Sequence, residues 1–206
     1  MKIRNLLLSA TLLVALTNCK KDDAPVVTPK EETPASPTTY AKVMDVRANL
    51  TSWRYFNFTT GTEVNVLNFH DTLSWDLGIH YESFRTNGGT SGIGQGAVID
   101  LGNVDFASVT LASIDANSYV ADDSISVLKS MVGMPVFETV PGCVPMEAMF
   151  QSPQGPPQPT DYTPNNHVYV IKTASGRRVK LIGTSFFDAT TGTVSGYFNF
   201  KYEFLD

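Results

Sequence analysis

The chain has 206 residues, a formal net charge of −5 and an isoelectric point near 5.1. It lacks the clustered Lys and Arg that a phosphate backbone requires, which argues against a nucleic-acid partner. Its two cysteines are too few for a Cys-based zinc or iron–sulfur centre.

Residues 1–18 read as a secretory signal. Lys2 and Arg4 are followed by the apolar run Leu6–Leu16, which is too short to span a bilayer. Cys19 stands just after that run, as in a bacterial lipobox, where such a cysteine becomes the acylated N-terminus. Each buried acyl methylene contributes roughly 0.8 kcal/mol, so several chains anchor a protein firmly. Membrane contact is expected through this anchor only. From Cys19 to Tyr40 the composition is rich in Pro, Thr and Glu. Such a segment buries too little apolar surface to order itself and reads as a tether. Residues 41–206 remain, enough for one domain with a sizeable core.

Helical periodicity is nearly absent from this body. Ser52–Thr59 carries Trp53, Tyr55, Phe56 and Phe58. A short strand with Trp75, Leu77 and Ile79 enters a loop with five glycines in the nine residues Gly88–Gly96. Glycine tolerates backbone angles that other residues do not, and the loop is expected to let the chain reverse and pack tightly. Ser124–Met131 fits a helix or a strand equally well. His167–Ile171 and Val179–Thr184 flank Ala174-Ser175-Gly176, a hairpin signal with glycine at the left-handed position. Phe198, Phe200, Tyr202 and Phe204 alternate with Asn199, Lys201 and Glu203, which marks a half-buried strand with one aromatic face. Together these predict an all-β, mostly antiparallel body, either a sandwich or a strongly bent sheet.

No enzymatic motif is complete. Gly92, Gly94 and Ala97 fit a loose dinucleotide fingerprint, but a strand-like run follows where a helix is needed. The elbow Gly-x-Ser-x-Gly does not occur. The three histidines, His70, His80 and His167, lack metal-ligand spacing. His80 is expected to be packed in the scaffold, His70 to lie in a loop and His167 to open a strand. Cys143 is expected to be a small buried apolar residue.

One region breaks the strand rhythm. Between Met131 and Pro164 lie four of the six methionines, Met131, Met134, Met146 and Met149, and eight of the 12 prolines. Proline cannot donate to a sheet ladder, so no central strand is expected here but a long, exposed, apolar loop. Thioethers are soft ligands for haem iron and adaptable walls against flat π systems. Burying a few hundred Å² of porphyrin contributes roughly 5–10 kcal/mol before binding costs. A surface that binds a glycan, peptide or protein through the same apolar loop is the alternative.

The segment Trp75-Asp76, His80, Arg85, Asn87, Gly89, Ser91-Gly92, Gly94 and Gly96-Ala97 resembles a signature of the HmuY-like family, haem-binding surface lipoproteins of Bacteroidota. The resemblance begins near Trp53-Arg54-Tyr55-Phe56-Asn57-Phe58. It returns at Val168–Ile171, at Gly176 and at the closing aromatic strand. Lys21-Asp22-Asp23 looks like the acidic tag that sends lipoproteins of these bacteria to the outer face of the cell. The resemblance implies an all-β fold with two finger-like β-extensions that pinch haem. It also implies an outer-membrane, lipid-anchored haemophore used for iron acquisition. Its partners would be haem and either host haemoproteins or an outer-membrane haem receptor. No histidine lies between His80 and His167, so a bis-histidine pair from the fingers is not available. The position of the family's ligands points to Met134, with Met131 beside it, on one finger. On the other it points to Met149, with Met146 next. A Met134–Met149 pair of weak neutral donors would favour ferrous iron.

Overall fold

The computed structural model describes residues 38–43, 52–130, 132–151, 162–188 and 190–206. The chain divides into units of residues 1–34 and 35–206. The expected signal peptide, Cys19 and nearly all of the tether lie outside the described residues. The strands in chain order are β1 (Thr39–Val43), β2 (Arg54–Asn57), β3 (Thr62–Val64), β4 (Leu77–His80), β5 (Ser83–Thr86) and β6 (Ala97–Asp100). There follow β7 (Asp123–Ser130), β8 (Val136–Gly142), β9 (Phe150–Gln151), β10 (Thr163–Pro164), β11 (Tyr169–Lys172), β12 (Arg178–Phe187) and β13 (Ser195–Phe204). Helix among the described residues is confined to short 3₁₀ turns, and none is long and apolar enough to cross a membrane.

The body is an antiparallel β-sandwich with added hairpins. One sheet has five strands in the order β1-β13-β12-β11-β6, and the other has four in the order β3-β2-β4-β5. Period-two alternation determines which side chains meet between them. Phe56, Leu77, Ile79 and Phe84 face inward from the four-stranded sheet. Tyr169, Ile171, Val179, Leu181, Phe198, Phe200 and Tyr202 meet them from the five-stranded one. Each large apolar side chain so buried stabilises the fold by roughly 1.5–3 kcal/mol. The back of the five-stranded sheet is also covered. Ile99, Val168 and Val170 pack under a strap of short turns that carries Phe106 and Val109.

Several sequence expectations are met. Of Ser124–Met131, open to two readings, Ser124–Ser130 lies in strand β7. The β11–β12 hairpin pairs Lys172 with Arg178, and Gly176 at its turn has φ +90°. Strand β13 alternates buried and half-buried residues along its length. Thr39 and Tyr40, expected to belong to the tether, instead pair with Tyr202 and Lys201 as the start of β1.

The glycine loop packs tightly, but mostly for a reason other than backbone angle. Gly88 and Gly92 are extended, and only Gly89 in the loop has a positive φ. What the loop requires is close approach around Asn87. A Cβ on Gly94 would lie 2.5 Å from the Asn87 carbonyl oxygen. Asn87 donates through Nδ2 to the carbonyls of Thr72 (2.8 Å) and Trp75 (2.9 Å). Its Oδ1 accepts from the Gly94 amide at 3.1 Å. Asp76 works alongside it, accepting from the amides of Phe58 and Ala174 at 2.9 Å each.

Candidate ligand-binding hairpin

Strands β7 and β8 pair only with each other, from Asp123↔Gly142 out to Ser130↔Val136. Pro141 sits in β8, which a two-stranded ribbon tolerates because its outer edge needs no donor. At the root, Ile125 and Val127 are buried. Leu128 is half-buried and packs against the main core. Its cross-strand neighbour Phe137 is exposed, as are Val136, Val132 and Met134, the last 83 % exposed. Apolar surface thus runs outward from the core to the tip. Lys129 and Glu138 form a solvated ion pair across the ribbon at 2.6 Å.

The root is fixed by polar contacts. The Cys143 amide donates to the Phe84 carbonyl at 2.8 Å. Asp122 accepts from the amide and hydroxyl of Thr86, at 2.7 Å each. The hydroxyl of Thr90 donates to the Asp123 carbonyl at 2.7 Å. Burial outweighs these bonds and pushes the Asp122 carboxyl up to about 6. Burial also pushes Glu147 up to about 7, although Ser83 donates to it at 3.4 Å. Cys143 is fully buried and free, with its thiol raised by burial.

The segment that follows β8 is not the exposed loop the sequence suggests. Pro145 starts a 3₁₀ turn over Val144–Met146. The Met149 amide then donates to the Met146 carbonyl at 3.0 Å, and Asn165 donates to the Met149 carbonyl at 2.9 Å. This folds the segment onto the sandwich. Met146 and Met149 are both 0 % exposed and belong to the main core. Gly183 on β12 makes room for Met149, since a Cβ there would stand 3.0 Å from the Met149 sulfur. Met134 and Met149 are therefore not brought together: one is at an exposed tip and the other inside the sandwich. The expected pairing of the two thioethers has to be corrected for this arrangement, in which unbranched methionines fill gaps that branched side chains would not. Met131 and residues 152–161, which include most of the second expected arm beyond the β9–β10 pair, lie outside the described residues.

The histidines take scaffold and surface positions. His80 is buried and tilted against Trp53 at 5.2 Å between ring centroids. His70 lies in an exposed 3₁₀ turn. His167 contacts both carboxylate oxygens of Asp100 at 3.0 Å. The exposed Val132, Val136 and Phe137 were missed as site residues. Their signal is the run Val132–Phe137, interrupted only by Gly133, which is apolar on both faces of a ribbon rather than on one.

These features describe a β-sandwich with an apolar, thioether-tipped hairpin, and comparison with known proteins gives its family. The HmuY protein family model matches residues 49–202, and the chain belongs to that family. Among solved structures it is similar to apo PinO from Porphyromonas gingivitis, with 17% identity and a TM-score of 0.63 over 83% of this chain and 98% of that one. It is similar to the apo HmuY analog TFO of Tannerella forsythia, with 19% identity and a TM-score of 0.60 over 84% and 98%. A third similar fold is a Bacteroides vulgatus protein described as HmuY-like and heme-binding, with 22% identity and a TM-score of 0.60 over 80% and 90%. No curated protein matches the chain significantly.

Proposed function

We propose that this chain is a surface-displayed haem-binding protein that holds the macrocycle against the β7–β8 hairpin, with Met134 as an axial ligand. The observation that carries the reading is the 83 % exposed thioether at the end of an apolar ribbon, on a body of the HmuY family. The donor chemistry fits one axial position. Thioether sulfur binds haem iron, and Val132, Val136 and Phe137 offer apolar surface for a porphyrin face. When bound, haem would supply the iron that accepts the sulfur donor. A weak neutral donor supports the ferrous state over the ferric. Met131, next to the turn, is a further thioether proposed for the same arm. In the arrangement described, Met146 and Met149 act as core residues.

The role that goes with this reading is iron acquisition at the outer membrane. The chain would be tethered through an acylated Cys19 and would exchange haem with host haemoproteins or an outer-membrane haem receptor. The family likeness and the lipobox-like Cys19 support it.

The test is an absorbance titration of the purified protein with haem in both redox states. A low-spin spectrum is expected in the reduced state, lost in Met134→Ala and kept in Met149→Leu. No spectral change in either state overturns the reading. So does a spectrum that survives Met134→Ala, and so does one lost only in Met149→Leu.

A further inference from the structure

The outer face of the four-stranded sheet carries a second set of residues that the hairpin does not use. Tyr55, Gly78 and Arg85 form one row across β2, β4 and β5. Gly78 has no side chain, so the Arg85 stem lies across it, where a Cβ would meet Arg85 Cγ at 2.6 Å. The guanidinium carbon sits 3.5 Å from the Trp53 ring centroid and 4.2 Å from that of Phe69. Burial raises the Tyr55 phenol, and the nearby Arg85 charge offsets part of that rise. Trp75 stands edge-on to Tyr55 at 4.9 Å and donates through Nε1 to the Phe69 carbonyl at 3.0 Å.

Arg85 is an unusual residue to find there. It is 2 % exposed, and its Nε and Nη1 have no hydrogen-bond partner. Among the described residues it makes no ion pair. A buried cation with unmet donors destabilises a fold, and an apolar side chain of similar volume would serve packing at least as well. What the guanidinium does supply is a fixed position for Trp53. It holds one face of the indole by cation–π contact, and His80 lies against the same ring.

Trp53 is only half-buried, and with Tyr55 it lines an open cleft of about 340 Å³. Arg54, Glu63, Val64 and Asn65 complete most of the wall. Arg54 Nε donates to Glu63 Oε2 at 2.8 Å, so the charges of this rim cancel and an anion gains little. The cleft therefore sets the Trp53 ring beside a charge-neutral rim that carries donors and acceptors, and its volume is typical of small-ligand sites.

We propose that this cleft is a binding site for a neutral sugar ring. The C–H face of a pyranose packs on the Trp53 indole, and its hydroxyls bond to Glu63 and Asn65. Trp53 is held before the ligand arrives, so little side-chain entropy is lost on binding. The site is separate from the hairpin and stands whether or not haem binds.

Trp53 is one of two tryptophans, and the other, Trp75, is 0 % exposed. Both indoles emit, but the buried Trp75 is shielded from ligand and quencher, so changes in emission report chiefly Trp53. The experiment is a fluorescence and calorimetric titration of the full-length chain with maltohexaose, cellohexaose, xylohexaose and mannohexaose. A polygalacturonate oligomer and a proline-rich peptide serve as the contrasting probes. At least one neutral oligosaccharide is expected to saturate. Its affinity should fall about tenfold or more in Trp53→Ala and in Asn65→Ala, the loss that about 1.4 kcal/mol represents. It should be unchanged in Met134→Ala. Asn65 is exposed, so its variant tests the site even where Trp53→Ala folds poorly. Arg85→Met should free the indole, read as greater acrylamide quenching of the emission in the ligand-free protein. The proposal is overturned by silence from all four sugars, by binding of the acidic oligomer or the peptide alone, or by sugar affinity that survives both cleft variants. Unchanged quenching in Arg85→Met overturns the positioning role of that residue.

Discussion

Asp122 and Glu147 sit where the hairpin meets the body, and burial holds both carboxyls above the usual carboxylate range, to about 6 and about 7. Their ordinary values are 3.8 and 4.5. Between those values and the raised ones, the folded protein keeps protons that the unfolded chain has already released. Stability from these groups is therefore greatest below about pH 4 and declines as pH rises to about 7, above which it is level. The charges that face them do not reverse the sign. Arg85 lowers Asp122 and Glu82 raises Glu147, and each is a smaller effect than burial. Urea unfolding at about pH 5 and about pH 8 should show the loss, and Glu147→Gln should reduce the difference between the two. Equal differences in the native protein and this variant would show that Glu147 does not titrate within the fold as described. Neither residue stood out in the sequence. A carboxylate's burial depends on which strands cover it, and Asp122 lies 36 positions from the Thr86 that it holds.

At the scale of elements, the same composition gave opposite results on the two sides of β8. The methionines and prolines of residues 131–164 read as one exposed apolar loop. In the structure, Val132–Phe137 is indeed exposed, but Cys143, Met146, Met149 and Phe150 are packed inside. The difference comes from local hydrogen bonding that composition does not encode. The Cys143 amide is captured by Phe84 and the Met149 carbonyl by Asn165, and between them Met146 and Met149 are drawn into the core, Met149 against Gly183. Met149→Ala should therefore destabilise the fold by about 2–5 kcal/mol, as large-to-small changes in a core do. Met149→Leu, close in volume, should cost less than about 1.5 kcal/mol. Denaturant midpoints of the two variants check this. If both were near neutral, Met149 would not be a packed core residue and would return as a candidate ligand.

For the whole molecule, the sandwich was legible because β13 alternates strictly and because glycine marks the turn between β11 and β12. The second sheet was legible in part. Its aromatic run Trp53–Phe58 signalled a strand, but not that Phe56 would enter the core while Trp53 and Tyr55 form an outer face with Arg85. That division follows from the pairing of β2 with β4, which no local pattern reveals. The N-terminal edge was the least visible feature. Thr39 and Tyr40 look like the end of a Pro/Thr-rich tether, yet Thr39–Val43 pairs with Tyr202–Phe198 and closes the five-stranded sheet. Val43 is buried in the core, and without β1 the aromatic strand β13 would become an open edge able to pair with other chains. Two truncations separate these roles. A chain beginning at Thr38 should keep the melting temperature of the full protein, since β1 remains whole. A chain beginning at Met44 should melt lower by several degrees, as expected for a loss of about 1–2 kcal/mol in a domain of this size, and should aggregate on heating. If both chains melt alike and stay monomeric by light scattering, β1 does not seal the sheet, and the folded body begins after Val43.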